Sequence, residues 1–312
     1  MMREPAYAGD ALIGALRQCA FGVVHRSAPA TWRFQLRNGK PLAVRATRSG
    51  EWLRLTTAAR PERAPDLPWR LLALNAQLPS SAKATFEWRN RSTYVCVDVC
   101  LAAEDSSAHR LNAACSSLLE AGASLASIGE DPPLQARDRR LDDAIAEQCC
   151  DLLNDGQWSW TERADEHLQI ALPTRRGPAQ AAITQSADAV CCHVQLVDTS
   201  PTSEICRQAT SAFLLAATGS LRLVRAVRAR KRERETVGIE VMLAPRFTTD
   251  DLNTALLGLA TASDLLGPEA AALRNDALAS EYLAARALER VRKARPLAFT
   301  TMEVPEPILQ EG

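Results

Sequence analysis

The feature that most constrains the fold of this chain is an internal repeat. Two segments with alternating apolar residues match at an offset of 142. Their apolar positions are Val95, Val97, Val99 and Leu101 in the first segment and Val237, Ile239, Val241 and Leu243 in the second. Because alternate residues of a strand point to the same side, each set predicts one apolar sheet face. Asp98 and Glu240 occupy the opposite face of the two strands.

Weaker matches extend the repeat in both directions. The same offset of 142 pairs Lys83-Ala84 with Arg225-Ala226, and Leu71-Leu72 with Phe213-Leu214. An offset of 141 pairs Leu53 and Leu55 with Val194 and Leu196, and it pairs Leu111, Cys115 and Leu118 with Leu252, Leu256 and Leu259. An offset of 134 pairs Phe34–Leu36 with Leu168–Ile170, and an offset of 133 pairs Asp10–Leu12 with Asp143–Ile145. Small insertions in loops are tolerated, so such changes of offset fit a duplication. The chain is therefore predicted to contain two copies of one module.

Each copy predicts the element order α-β-β-β-α-β-β-α. In the first copy the predicted elements are a helix from Asp10 to Cys19, strands Trp32–Arg37, Leu42–Thr47 and Trp52–Thr57, a helix Pro68–Leu78, strands Lys83–Arg89 and Tyr94–Leu101, and a helix Ser107–Ser124. In the second they are Leu141–Asn154, His167–Leu172, Gln180–Ser186, Val190–Val197, Ser203–Ala217, Arg222–Arg230, Val237–Leu243 and Thr249–Leu266. Turn residues such as Asn38-Gly39 separate the strands as hairpins. The predicted fold class is α+β, with antiparallel twisted sheets flanked by helices.

Proline and charge mark the predicted boundaries. We expect a first module at 1–128, a linker at 129–140, a second module at 141–267, and an appended helix with an extended tail at 268–312. The linker contains Pro132-Pro133 among charged residues, and Gly267-Pro268 is the predicted start of the appended helix. Proline and glycine are the strongest local markers of such breaks.

Composition narrows the classes of function. The 312 residues include 37 basic and 37 acidic ones, so the net charge is zero, which argues against a general nucleic-acid or anionic-membrane binder. Only four basic residues are lysine, and the arginine- and alanine-rich composition predicts a bacterial origin. We find no leader pattern and no apolar run of spanning length, so a cytoplasmic protein is expected. The nine cysteines lie mostly in apolar runs and are expected to be reduced.

The predicted element order resembles the type III secretion chaperone-like family, over about 10–127 and 140–266 of this chain. The resemblance implies a protein without enzymatic activity that holds an unfolded segment of a partner protein along its sheet and helix surfaces. Members commonly dimerise, whereas this chain has two copies. We therefore expect an internal pseudo-dimer and a monomeric protein, since a short linker raises the effective concentration of one copy for the other.

No motif predicts catalysis, a cofactor or a metal. Cys96 and Cys100 would lie about 13 Å apart on one strand, too far to share a zinc ion. The adjacent pairs Cys149-Cys150 and Cys191-Cys192 point in divergent directions. No phosphate-binding glycine loop is present, and no histidine accompanies a nucleophile signature. Asp98 and Glu240 are interpreted as solvated acids, or as partners of Lys83 and Arg225 on the neighbouring strands.

One local anomaly is a basic hairpin in the second copy. Its candidate anion-binding residues are Arg222, Arg225, Arg228, Arg230, Lys231, Arg232 and Arg234. The functional interpretation is a nucleic-acid or anionic-ligand contact, and the structural one is a solvated hairpin whose charges discourage aggregation. The first copy carries Phe86 and Trp88 where the second has Arg228 and Arg230, so the two copies should present different surfaces.

The preferred function is a non-enzymatic protein-binding, chaperone-like or adaptor role. The alternatives are anion binding through the hairpin and a structural half of a larger assembly.

Overall fold

The fold is that of a computed structural model. It describes residues 6–38, 40–59, 66–79, 82–89, 92–102, 107–126, 128, 131–136, 141–163, 167–186, 189–198, 202–231, 234–244 and 246–294. Within these residues the chain is α+β, with seven helices and two six-stranded antiparallel sheets. The predicted fold class is confirmed.

The first half of the chain builds one sheet. Its elements are α1 (Ala6–Cys19), β1 (His25–Ala28), β2 (Thr31–Asn38), β3 (Lys40–Ser49), β4 (Trp52–Ala59), α2 (Leu67–Asn75), β5 (Ala82–Arg89), β6 (Ser92–Ala102) and α3 (Ala108–Ala126). The strands lie in the order β1-β2-β3-β4-β6-β5. All neighbouring strands are antiparallel.

The second half repeats this arrangement. Its elements are α4 (Asp143–Asp155), β7 (Trp160–Arg163), β8 (His167–Leu172), β9 (Ala179–Ser186), β10 (Ala189–Asp198), α5 (Glu204–Thr218), β11 (Arg225–Lys231), β12 (Arg234–Leu243), α6 (Thr249–Ala272) and α7 (Asp276–Ala294). The strand order β7-β8-β9-β10-β12-β11 matches that of the first sheet. The two alternating segments of the repeat thus lie in β6 and β12, which hold equivalent places.

Both copies contain one strand more than the sequence predicted. The order in each is α-β-β-β-β-α-β-β-α, because β1 and β7 precede the predicted strands. Every residue of β1 is exposed, so His25–Ala28 carries no apolar alternation that would mark it as a strand. The sequence Trp160–Arg163 of β7 also lacks apolar alternation. β1 and β7 are edge strands of four residues each.

Strand register corrects one of the predicted matches. Leu53 pairs with Leu101 in the first sheet, and Val190 pairs with Leu243 in the second. Leu53 is therefore equivalent to Val190, and the predicted match to Val194 is wrong by four residues. A slip by an even number of residues keeps every side chain on its own face, so alternation cannot detect it.

The predicted start of the appended helix is also wrong. Pro268 lies inside α6, and the break falls instead between Leu273 and Asp276. The Asn275 side chain accepts hydrogen bonds from the backbone N–H groups of Ala277 (3.0 Å) and Leu278 (3.2 Å). It thereby caps α7, which packs on α5 through the edge-to-face rings of Phe213 and Tyr282. A capping side chain at the new helix start outweighs the proline signal.

A shared core joins the two halves. One cluster of buried side chains includes Leu53 and Leu118 from the first half and Ile239 and Leu259 from the second. The α3 and α6 positions predicted from helical spacing are all buried. Each central helix also reaches the other copy, since α2 packs on β11 and α5 packs on β5. The two modules therefore face each other across α2, α5, β5 and β11.

Candidate functional site

A buried lysine of the first module ends in the backbone of the second. Lys83 lies on β5, on the sheet face opposite the core, and is only 3% exposed. Its Nζ donates to the carbonyl oxygens of Thr218 (2.8 Å), Val224 (3.4 Å) and Leu221. These acceptors lie between the end of α5 and β11. The stretch that follows α5 is therefore seated on the outer face of the first sheet.

Arg225 makes the reciprocal contact from the second module. It is 2% exposed, and its Nη1 donates to the carbonyl oxygens of Leu78 (3.1 Å), Pro79 (3.1 Å) and Ala82 (2.9 Å). The offset of 142 that relates Lys83 to Arg225 also relates Pro79 to Leu221 and Ala82 to Val224. The pair forms a pseudo-symmetric junction between the copies, called here the cation–carbonyl junction.

The acids on the same face are buried rather than solvated, so that expectation is wrong. Glu240 accepts a hydrogen bond from Arg225 Nε (2.9 Å), and Nη2 lies 2.8 Å from the same oxygen. Asp98 accepts from the hydroxyls of Thr56 (2.7 Å) and Thr85 (3.0 Å) and forms an ion pair with Arg54. The predicted pairing of Glu240 with Arg225 is confirmed. Lys83 lies opposite Asp98 in the strand register, but its hydrogen bonds go to the other module.

Burial shifts the ionisation of several groups. Burial lowers the pKa of Lys83 to about 8, against the opposing influence of Cys100 and Asp98. Burial raises the pKa of Cys115 and of Cys149 to about 12 and raises that of Cys192 further. These thiols are protonated at neutral pH and are poor nucleophiles in that state. All nine cysteines are free thiols in the structure.

The predicted anion-binding residues whose side chains the structure describes do not converge on one site. Besides Arg225, Arg228 is buried, and it binds Glu235 (2.6 Å) and both carboxylate oxygens of Asp131 (2.8 Å each). Its guanidinium group also lies 4.6 Å from the ring centroid of Trp69. Two of the seven basic groups are thus already neutralised inside the protein.

The other members of the hairpin set point in different directions. Arg222 stacks on the ring of Trp52, 5.2 Å from its centroid. Arg234 is exposed and lies 3.4 Å from Asp198. Arg230 is exposed, and its backbone N–H donates to Gln135 of the linker (3.0 Å). The Lys231 side chain and the whole of Arg232 lie outside the described residues.

Four tryptophans, Trp52, Trp69, Trp158 and Trp160, have partners within the protein. Trp52 and Trp69 are half-buried under arginines. Trp158 donates to Asn253 (2.7 Å), and Trp160 donates to Asn154 (3.0 Å). None of the four is a free aromatic anchor on the surface.

A different basic surface, not predicted from the sequence, lies on the first sheet. The outer sides of β2, β3 and β4 carry Arg33, Arg37, Arg45 and Arg54, which we call the arginine face. Arg33 is directly opposite Arg45. Arg45 reaches across β4 and β6 to Glu87 (3.2 Å), and Arg54 binds the buried Asp98. The arginines alternate with apolar residues in the sequence, but only the strand order places them side by side.

The second sheet is neutral at the equivalent positions. Register relates Arg33, Arg45 and Arg54 to Gln169, Ala182 and Cys191. A recess of about 370 Å³ opens beside Gln169 and Ala182. Its polar lining consists of Gln169, Gln180, His193, Gln195 and Ser263.

A strand irregularity borders the recess. Pairing of β10 with β9 ends at Val194 and Ala181, and the register between β10 and β12 shifts between Gln195 and Val197. Gly238 faces this bulge, where a Cβ atom would lie 2.3 Å from the Val194 carbonyl oxygen. Only glycine fits such a close backbone approach. The first sheet has Cys96 at the equivalent position and no such shift against β4.

Nothing in the described part of the chain forms a metal centre. No three His, Cys, Asp or Glu side chains among those residues are grouped to hold an ion. The described helices also lack the combination of length and apolarity that a bilayer crossing requires.

Comparisons with known proteins add no family. No protein-family model matches the chain, and no curated protein matches its sequence.

Proposed function

We propose that this chain is a non-enzymatic adaptor or chaperone-like protein that holds a segment of a partner protein. The observation that carries the proposal is an open surface on β2 and β3 of the first sheet. Arg33, Gln35, Arg37 and Ala43 are exposed there. The β5 and β6 side of the same face, by contrast, is covered by the second module at Lys83. An open half of a sheet face beside a rigid junction suits binding of an extended segment.

The use of the buried charges supports binding over catalysis. General acid–base chemistry needs a titratable group within reach of a substrate. Glu240 and Asp98 are fully buried, and each is held by an arginine. Lys83 and Arg225 are committed to backbone carbonyls of the opposite module. These groups stabilise the pair of modules. In this proposal the protein acts as a monomer in the cytoplasm.

Site-specific photo-crosslinking tests the proposal. A benzophenone amino acid would replace Gln35 on the open surface, and a matched control would replace the exposed Thr254 on α6. Irradiation in an extract of the native host should give a discrete protein adduct from position 35 and none from position 254. Equal labelling at both positions, or none at position 35, would contradict the proposal.

Anion binding through the hairpin 222–234 is the second candidate. The exposure of Arg230 and Arg234 favours it, and the commitment of Arg225 and Arg228 weakens it. Titration with labelled DNA and RNA at two salt concentrations separates the two functions, because phosphate binding has a steep salt dependence.

A further inference from the structure

We propose that the arginine face recognises an acidic, extended segment of the partner protein, with Arg33 and Arg45 as its central contacts. This inference rests on the proposed function and specifies the chemistry of the partner. It moves the predicted anion-binding activity from the hairpin of the second module to the first sheet.

The spacing of the arginines suits carboxylates on an extended chain. Arg33 and Arg45 are opposite each other on neighbouring strands, where Cβ atoms are about 5 Å apart. Alternate side chains of an extended peptide recur about every 7 Å. A segment lying across β2 and β3 could thus bring successive same-side carboxylates to the two groups. Each guanidinium offers a planar fork that binds a carboxylate with two hydrogen bonds.

The local charge balance favours an anionic occupant. Arg33 and Arg37 form no ion pair within the described part of the chain. Arg45 and Arg54 each have one acid partner, Glu87 and Asp98. The Arg54 side chain remains 36% exposed above its buried acid. Four cations and two anions therefore share this surface, although the whole chain carries no net charge.

Folding does not require arginines at these positions. The second sheet has the same strand order and carries Gln169, Ala182 and Cys191 there. A scaffold that folds with neutral residues at the equivalent places leaves Arg33 without a structural role of its own, whereas Arg45 pairs with Glu87, an acid that the second sheet replaces by Ala229. Arg54 differs, since it neutralises Asp98.

The surface suits a peptide better than a nucleic acid. Single strands bind largely by stacking bases on aromatic rings. Two rings beside this surface are already stacked by arginines, Phe21 by Arg37 at 4.7 Å and Trp52 by Arg222 at 5.2 Å. Tight duplex binding needs on the order of six to ten phosphate contacts, more than four arginines offer. An acidic protein segment therefore matches both the number of charges and the shape of the surface.

Fluorescence anisotropy with the full chain tests the inference. The probes are a labelled polyglutamate peptide, a labelled Gly-Ser peptide of equal length, and a labelled oligothymidylate. The test variant R33Q/R45A carries the residues of the second sheet at both positions. The control variant R175Q/R176Q removes the same charge from two exposed arginines of the second module. Circular dichroism checks that both variants stay folded.

We expect polyglutamate to bind the natural chain, more weakly as salt rises, and the Gly-Ser peptide to bind negligibly. R33Q/R45A should weaken polyglutamate binding about tenfold, and R175Q/R176Q should leave it unchanged. An equal loss in both variants, or tighter binding of oligothymidylate, would overturn the inference. Absence of polyglutamate binding would also overturn it, while an adduct at position 35 would still support the proposed function.

Discussion

At the junction, the two sheets use different residues to pair a buried acid and to bind backbone carbonyls of the other module. In the second sheet Arg225 divides its guanidinium group, with Nε and Nη2 on Glu240 and Nη1 on three carbonyls of the first module. In the first sheet the single ammonium group of Lys83 donates its hydrogen bonds to backbone carbonyls of the second module. Asp98 therefore draws on Arg54, Thr56 and Thr85. Whether the junction cation is a lysine or an arginine therefore determines whether the buried acid needs a second cation from another strand.

This difference has a consequence for the surfaces. Because Arg225 serves both partners, β10 needs no arginine for Glu240 and has Cys191 where β4 has Arg54, with the Cys191 thiol donating to Glu240 (3.3 Å). Because Lys83 cannot do so, β4 carries an arginine that extends the basic surface of β2 and β3. Lysine and arginine are not interchangeable at such sites, since only arginine has a rigid fork of donors.

Removing Arg225 should have the largest effect on stability. Arg225→Ala removes the ion pair of the buried Glu240 and the donor to three carbonyls of the first module. We expect a loss of about 3–5 kcal/mol in the free energy of unfolding, measured by urea denaturation. A loss below about 1 kcal/mol would show that the junction contributes little.

A charge-conserving exchange sharpens the same point. Arg225→Lys should make the second junction resemble the first and leave Glu240 short of a donor. Adding Cys191→Arg should then recover about 1–2 kcal/mol, by supplying the residue that β4 already has. Strict additivity of the two substitutions would contradict the account of why the sheets differ.

The pH dependence of Lys83 should give the second largest effect, after the loss of Arg225. Its pKa is lowered to about 8 in the folded chain from 10.5, so the folded state loses this proton first. The unfolded state then binds more protons between pH 8 and 10.5, and the free energy of unfolding gains from this group as pH rises. Relative to Lys83→Met, the natural chain should gain roughly 2–3 kcal/mol over that range. A difference between the two proteins that does not change with pH would refute this.

The smallest effect should separate two arginines of the first sheet. Arg54→Ala removes the ion pair of the fully buried Asp98, and we expect the free energy of unfolding to fall by about 1–2 kcal/mol. Arg45→Ala breaks a pair whose two side chains are each 32% exposed, and should cost less than about 1 kcal/mol. Urea denaturation of both variants measures the contrast, and a larger cost for Arg45→Ala would reverse the assignment.

The sequence predicted the repeated helices and the alternating strands because their patterns are local. The apolar faces of β6 and β12 follow from period two, and Leu111 and Leu252 follow from helical spacing. β1 and β7 were not predicted as strands because their residues carry no apolar alternation. The offset of β4 against β10 escaped because a slip of four residues preserves alternation.

The junction and the arginine face could not be predicted for a different reason. The acceptors of Lys83 and Arg225 are backbone carbonyls, which every residue has and no sequence pattern marks. The burial of Arg225 depends on where the other module lies. Arg33 and Arg45 become neighbours only once β2 and β3 are paired. Each of these features depends on tertiary placement.

The two copies within one chain are each other's partner through the cation–carbonyl junction. Light scattering behind size exclusion, at micromolar protein, measures this most directly. An internal pseudo-dimer predicts a single species near 33.9 kDa. A stable species of twice that mass would mean that the copies make this contact between chains, which would contradict the account.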